Sequence, residues 1–450
     1  MNYKRILTLA LALVMVLSLA ACSRKAPVPT DPAQPGASNT PVAATEAAEA
    51  EKAEYVLPEH DIKVSLLTDA EKEAMKSEPM YKDGILFFFA GGNCTSAPYV
   101  AQRLGLYEQY GIKTEVVAGG GFVEAVGTNA AQLTVSHIST MLVPITNGVN
   151  YSFVGGAHIG CLSMYVLADS EAQSIEDLKG KNIGVTGIGE APHNVAIRMF
   201  GTSGMDPLTD FTPVVTELSA SIAALQNEDV DAIVCPDIWA YDMVKDGTLR
   251  IIRSLYDEDF AQEPCCVLAM NNDFIAENPM IAKAAAECIK LAGEWMRENP
   301  EEAVEMLMHD GYLGGTKEKN LDLWAPLNFN PSDKFTEEGL RNFVEDYIKY
   351  GMITSTDNAD EVMAAAWKPL AAEANLGYDY NDVDGTWWNC YDSLTEKYFL
   401  IKHPDEKPWH TLFIKTANRP GRFISIYNWT SSISYFILTI CFCVCGHTVI

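Results

Sequence analysis

Short uninterrupted apolar runs alternate with stretches of helical spacing through the middle of this 450-residue chain. The run ILFFF at 85–89 has the length of a strand buried on both faces. After the loop GGNCTS, Ala97, Val100, Ala101 and Leu104 recur at helical spacing, with Ser96 placed to cap the helix and Pro98 in its first turn. A strand in KTEVVA from Lys113 follows, then a glycine loop at GGGF, a helix from Phe122, and a strand at 133–135 with the polar end Ser136, His137, Thr140. Strands separated by single helices imply a parallel sheet and an α/β fold.

A second unit repeats this layout. The segment SIEDLKGKNIGV supplies a short acidic-started helix and a strand, TGIGEAPH the glycine loop, and HNVAIRMFGTSG a helix that stops at 201–204. Next come a helix in SASIAALQ, a strand at 232–234, and a polar strand end at 235–239 that places Asp237, Trp239 and Tyr241 on a loop. Strand, glycine turn and helix at 182–194 resemble a dinucleotide cradle, but Pro192 stands where the third glycine belongs. The loop is better read as one jaw of a pair, facing GGNCTS. MYVLADS at 164–170 and CCVLAMNND at 265–273 read as crossings between two lobes, and beyond Pro279 the spacing is helical, including FTEEGLRNFVEDYIKYGMI with a Thr-x-x-Gly start.

The ends differ from this body. Lys4 and Arg5 precede an uncharged stretch at 6–21 that reads as an export signal, closing in Leu19-Ala20-Ala21-Cys22. That close resembles the lipobox of bacterial lipoproteins, which implies a leader at 1–21, cleavage before Cys22 and lipid on its sulfur. Residues 22–60 are rich in Ala, Pro and Thr and form a tether with little to bury. Residues 424–450 lack Asp, Glu, Lys and Arg and include SYFILTICFCVCG, enough for a transmembrane tail. Lys415, Arg419 and Arg422 precede it, however, which by the positive-inside tendency conflicts with an exported body.

Sixty acidic residues against 32 basic give a net charge of −28, which excludes a nucleic-acid role: there is no Lys/Arg track for phosphates. The eleven cysteines show no CxxC spacing, and only Cys265 and Cys266 are adjacent within the body, so free thiols and disulfides both stay open. His137, His158 and His193 are too widely spaced to argue a metal, and no Ser-His-Asp or HExxH signature appears. Neither a metal nor a cofactor is expected.

The lipobox, APYVAQRLGLYEQYGI, IEDLKGKNIGV, LQNEDVDAIV and FTEEGLRNFVEDYIKYGMI together resemble the solute-binding lipoproteins of ABC importers. The branch is that of nitrate, sulfonate, taurine, bicarbonate and pyrimidine-precursor binders, and the resemblance covers residues 84–370. It implies a two-lobed type II periplasmic-binding-protein fold with hinge strands between the lobes. The expected parts are lobe 1 at 84–170, lobe 2 at 171–265, and a return to lobe 1 with C-terminal helices at 266–400. It further implies a monomer, lipid-anchored on the extracytoplasmic side of the cell membrane, that passes a small organic solute to an ABC permease and its ATPase. Pyrimidine-like, sulfonate-like and related nitrogen or sulfur compounds are the candidate solutes. A binder–permease fusion is one alternative. A pyrimidine-synthesis enzyme related to the fungal one is another, disfavoured because PCCVLAM has Val267 where that enzyme's cysteine run would continue.

In such folds ligands sit beyond the carboxyl ends of the strands, where loops feed helix N-termini. Lobe 1 therefore offers Asn93, Thr95, Gly121, Phe122, Ser136 and His137, and lobe 2 offers Thr186, Gly187, Gly189, Glu190, His193, Asp237 and Trp239. Each has a plain structural alternative: His137 as a satisfied core histidine, Glu190 as a helix-dipole partner, Trp239 as a packing aromatic. Arg198 is the only basic residue near these loops and at its helical position points away, which tilts the solute from oxyanions toward an uncharged or aromatic nitrogen compound.

Overall fold

The computed structural model describes residues 55–379, with the backbone of two further strands, Thr411–Lys415 and Phe423–Tyr427. The leader, the lipidation site at Cys22, the tether up to residue 54 and the segment 428–450 lie outside the described residues. The start of the apolar tail, to Tyr427, pairs as a strand antiparallel to Thr411–Lys415. Among the described residues no helix is long and apolar enough to cross a membrane.

Ten strands form two five-stranded sheets: β1 Ile85–Phe88, β2 Thr114–Val117, β3 Leu133–His137, β4 Tyr151–Ile159, β5 Leu162–Leu167, β6 Lys181–Val185, β7 Phe211–Val215, β8 Ala232–Pro236, β9 Leu249–Ser254 and β10 Pro264–Asn271. The first sheet runs β2-β1-β3-β10-β4 and the second β7-β6-β8-β5-β9. In each, three strands are parallel and a fourth, β10 or β5, enters antiparallel from the other half of the chain. The apolar runs form strands because both faces are covered: every residue of β4 and β10 is buried.

Helices joining and covering the strands are α1 Ala97–Arg103, α2 Phe122–Gly127, α3 Ile138–Thr146, α4 Ala191–Thr202, α5 Ser221–Gln226, α6 Asp237–Lys245, α7 Pro279–Glu298 and α8 Asp333–Lys349. The small residues Ala282, Ala285, Ala286 and Ala292 of α7 are fully buried, so this long helix lies close against lobe 1.

The chain crosses between sheets twice. The first crossing is only Gly160 and Cys161, because Met164 and Tyr165 already pair with β8 in the second sheet. The switch therefore falls before 162 rather than after 170. Gly160 and Cys161 both have positive φ, +71° and +84°. A Cβ on Gly160 would sit 1.9 Å from the Tyr256 ring, while Cys161 holds a conformation that costs an L-residue about 1–3 kcal/mol. The second crossing runs from Ser254 to Pro264.

Three local expectations are corrected. The Ser96 hydroxyl does not cap α1; it donates to Asn93 O at 2.8 Å, tightening the preceding loop. Helix α8 starts earlier than the Thr336 motif suggests, because Ser332 accepts from Phe335 N–H at 3.1 Å. Asp237, Trp239 and Tyr241 lie in the first turns of α6, not on a loop, with Pro236 setting the entry and the Asp237 carboxylate suited to the first turn.

Candidate functional site

Strand ends from both sheets converge on the first crossing. His137, the last residue of β3, places Nδ1 3.9 Å from Cys161 Sγ. From the other sheet, Asp237 N–H, just past β8, donates to Cys161 O at 3.0 Å. The polar ends of β3 and β8 thus meet at one residue, Cys161, the first at its sulfur and the second at its carbonyl.

Sulfur and imidazole cluster beside this crossing. His137 Nδ1 is 3.5 Å from both Cys265 Sγ and Cys266 Sγ, and the sulfurs of Cys161 and Cys265 are 3.3 Å apart. Cys94, His158 and Cys161 make a second set whose ligating atoms all lie within 4.8 Å of one another. His158 Nδ1 contacts the Ile159 carbonyl at 2.9 Å; a carbonyl only accepts, so Nδ1 is the donor and Nε2 is left facing the cluster. That Nε2 is buried without a hydrogen-bond partner.

Burial opposes charge in this cluster, yet contacts from Cys161, Cys266 and His137 hold the Cys265 thiol well below its usual range. Cys265 in turn lifts His137 above the ordinary imidazole value against its own burial. The Cys161 thiol is pushed up, first by burial.

Asp237 supplies the acidic element. Its Oδ1 accepts from Tyr165 OH at 2.5 Å while Oδ2 is buried without a hydrogen bond. Burial pushes its pKa up to about 6, only partly offset by the Tyr165 and Ser163 hydroxyls.

The remaining candidates are mostly engaged locally. Thr186 donates to Glu190 Oε2 at 2.6 Å, so the Glu190 carboxylate folds back over its own glycine loop. Gly187 lies under the Glu190 side chain, its ideal Cβ falling 2.7 Å from Glu190 Cδ, so a side chain there would displace that carboxylate. His193 accepts the Gly189 N–H at 3.1 Å, and burial lowers its pKa. Thr95 donates to Gly91 O at 3.2 Å, and Asn93 is buried. Ser136 is buried in β3, opposite Val267 of β10. Gly121 precedes α2 in an ordinary extended conformation, and Phe122 packs 6.3 Å from the Phe88 ring. Trp239 is 37 % exposed and Ile188, at the tip of the glycine loop, 62 %.

Arg198 does point away. It is buried, bonded through Nε and Nη2 to Asp346 Oδ2 at 2.9 and 2.8 Å. Its Nη1 meets Glu263 Oε2 at 2.8 Å as an ion contact off the hydrogen-bond axis, and its guanidinium lies 3.9 Å from the Phe343 centroid. It ties α4 of lobe 2 to α8 and offers nothing to a solute. Asn194, one turn earlier, makes a second tie by donating to Ser139 O of α3 at 2.6 Å.

Sequence reasoning missed Cys94, His158, Cys161, Cys265 and Cys266 as one group, since their positions run from 94 to 266 without a spacing motif. The available signal was that Cys94 sits in the loop after β1 and that the pair 265–266 directly follows the second crossing.

Two open sheets of matching strand order joined by two crossings define the two-lobed fold of the periplasmic binding proteins. Residues 95–303 match the family model NMT1/THI5 like. The fold is shared with the alkanesulfonate-binding protein SsuA from Xanthomonas axonopodis pv. citri bound to MOPS: TM-score 0.52, 18% identity, 65% of this chain and 99% of that one covered. The aliphatic sulphonate binding protein SsuA from Escherichia coli gives TM-score 0.52 at 15% identity, over 67% of this chain and 95% of its own. A Candida albicans gene product described as having the generic periplasmic binding protein fold gives TM-score 0.52 at 14% identity, covering 66% and 98%. No curated protein matches the sequence.

Proposed function

We propose that this chain is the extracytoplasmic solute receptor of an ABC importer, held at the membrane by a lipid on Cys22, that captures a small nitrogen-bearing solute rather than an oxyanion. The observation that carries this reading is the convergence of β3 and β8 on Cys161, which sets the ligand-holding ends of both sheets against one hinge. A solute bridging them has different affinity for open and closed forms, the requirement for closure around cargo. The choice of solute class rests on charge. Arg198 is consumed by Asp346 and Glu263, whereas Asp237 is ionised above about pH 6 and leaves one oxygen for a donor. An N–H or amine-bearing ring fits that donor requirement, with the exposed Trp239 in the first turn of the same helix as a candidate stacking surface.

Titration calorimetry of the full chain in detergent tests this, with pyrimidines and cyclic amines compared against alkanesulfonates and nitrate. The reading expects binding of the nitrogen compounds, a loss of at least tenfold in Asp237→Asn, and weaker binding in Thr95→Ala and Thr186→Ala. Tight sulfonate binding indifferent to Asp237→Asn overturns the solute class. Chemical conversion of the solute would replace the receptor with an enzyme.

A further inference from the structure

We propose that His137, Cys161, Cys265 and Cys266 form a binding site for a thiophilic metal ion, zinc(II) by donor set, beside the first crossing. Three thiols and one imidazole are a common closed ligand set for tetrahedral zinc. With Zn–S about 2.3 Å and Zn–N about 2.0–2.1 Å, a tetrahedron has S···N edges of about 3.5 Å and S···S edges of about 3.8 Å. The three measured S···N separations are 3.5, 3.5 and 3.9 Å, and the Cys161–Cys265 edge is 3.3 Å. These four of the six edges thus lie within about half an ångström of the ion's own geometry, and all four ligand atoms lie within 4.8 Å of one another.

Two independent observations point the same way. His158 is fully buried with Nδ1–H on a backbone carbonyl and Nε2 without a hydrogen-bond partner, the arrangement in which metal-ligating histidines are held. It joins Cys94 and Cys161 in a three-donor set that shares a sulfur with the first. Cys161 also keeps a left-handed φ in the crossing. Backbone strain of that kind marks positions where a side chain's direction matters.

A disulfide explains less. Joining Cys161 to Cys265 would consume two sulfurs and leave Cys266, Cys94 and both imidazoles facing one another with no partner chemistry. Simple core packing explains less still, since it has no use for two imidazoles among four thiols. A bound ion would clip β3 to both crossings, because Cys161 ends the first and Cys265 is the second residue of β10, just past the second. The inference rests on these side chains alone. It is read by spectroscopy rather than solute binding, so it can fail while the importer reading stands, and the reverse.

The full chain, purified under reductant and stripped with a chelator, is titrated with cobalt(II) and then zinc(II). The site predicts a thiolate-to-cobalt charge-transfer band and the intense visible bands of a tetrahedral ion, saturating with at least one equivalent and bleached by zinc. Cys265→Ser and Cys266→Ser should each weaken cobalt binding at least tenfold, while Cys235→Ser, a buried thiol outside the set, leaves it unchanged. Zinc-edge X-ray absorption on the unaltered chain, which needs no variant to fold, should show a shell of three sulfurs and one nitrogen. An oxygen-only shell, no charge-transfer band, a band that survives both serine variants, or a Cys161–Cys265 disulfide that forms equally fast with and without zinc would each overturn the proposal.

Discussion

Replacing Arg198 with Met tests how the two lobes are tied. The guanidinium is 2 % exposed and is the charge partner of Glu263, 5 % exposed, and of Asp346, 19 % exposed. Although burial opposes its charge, Glu263 and Asp346 hold its pKa above the ordinary arginine value, so it is a cation throughout. Methionine fills similar volume and keeps the contact with Phe343, but leaves a carboxylate pair facing apolar surroundings. Removing one member of a buried ion network costs about 3–5 kcal/mol, a large part of the roughly 5–15 kcal/mol that stabilises a domain. In urea, with an m-value of about 3 kcal/mol/M, the midpoint should fall by about 1–1.7 M without a change in slope. Adding Glu263→Gln and Asp346→Asn should recover most of the loss, because the cost comes from leaving the buried carboxylates uncompensated and the amides carry no charge. A loss below about 1 kcal/mol for Arg198→Met, or no recovery in the triple variant, refutes the assignment of Arg198 as a buried lock.

Asp237→Asn should stabilise the chain at pH 7 by up to about 3 kcal/mol, the equivalent of a shift from 3.8 to about 6. Its folded pKa is raised, so ionisation penalises the native state above pH 6, and the advantage of the variant should vanish as pH falls to 4; a pH-independent difference in thermal midpoint contradicts this. Gly160→Ala adds a Cβ 1.9 Å from the Tyr256 ring at φ +71° and should cost more than about 2 kcal/mol by urea unfolding. A near-neutral result would mean that the crossing is not held as described. Ser332→Ala removes the cap of α8 and should cost about 1 kcal/mol, whereas Ser96→Ala should leave the N-terminus of α1 no less capped, as amide hydrogen exchange at both helix starts can read.

Much of the fold is legible from local chemistry. IEDLKGKNIGV announces its turn and strand because Asp177 accepts the Ser174 N–H at 3.0 Å and Ile183 and Val185 are buried in β6. The strand-helix order at 85–146 is readable for the same reason: burial on both faces demands continuous apolar runs. Helix starts are less so, since a serine before a helical pattern can bond backward into its loop, as Ser96 does. The site is legible only in outline. Ser136, His137 and Asp237 are visible as polar strand ends, but their meeting at Cys161 depends on a two-residue crossing that no periodicity marks. Glu190 and Thr186 illustrate the opposite limit, being polar at the right strand end yet bonded to each other.

Native mass spectrometry of the full chain, released gently from detergent, tests capture of a solute most directly. The account predicts one small nitrogen-bearing molecule per chain, retained at neutral pH and lost in Asp237→Asn. A chain that carries no small molecule and gains none from cell-extract fractions, or that retains a sulfonate or nitrate in its place, contradicts it.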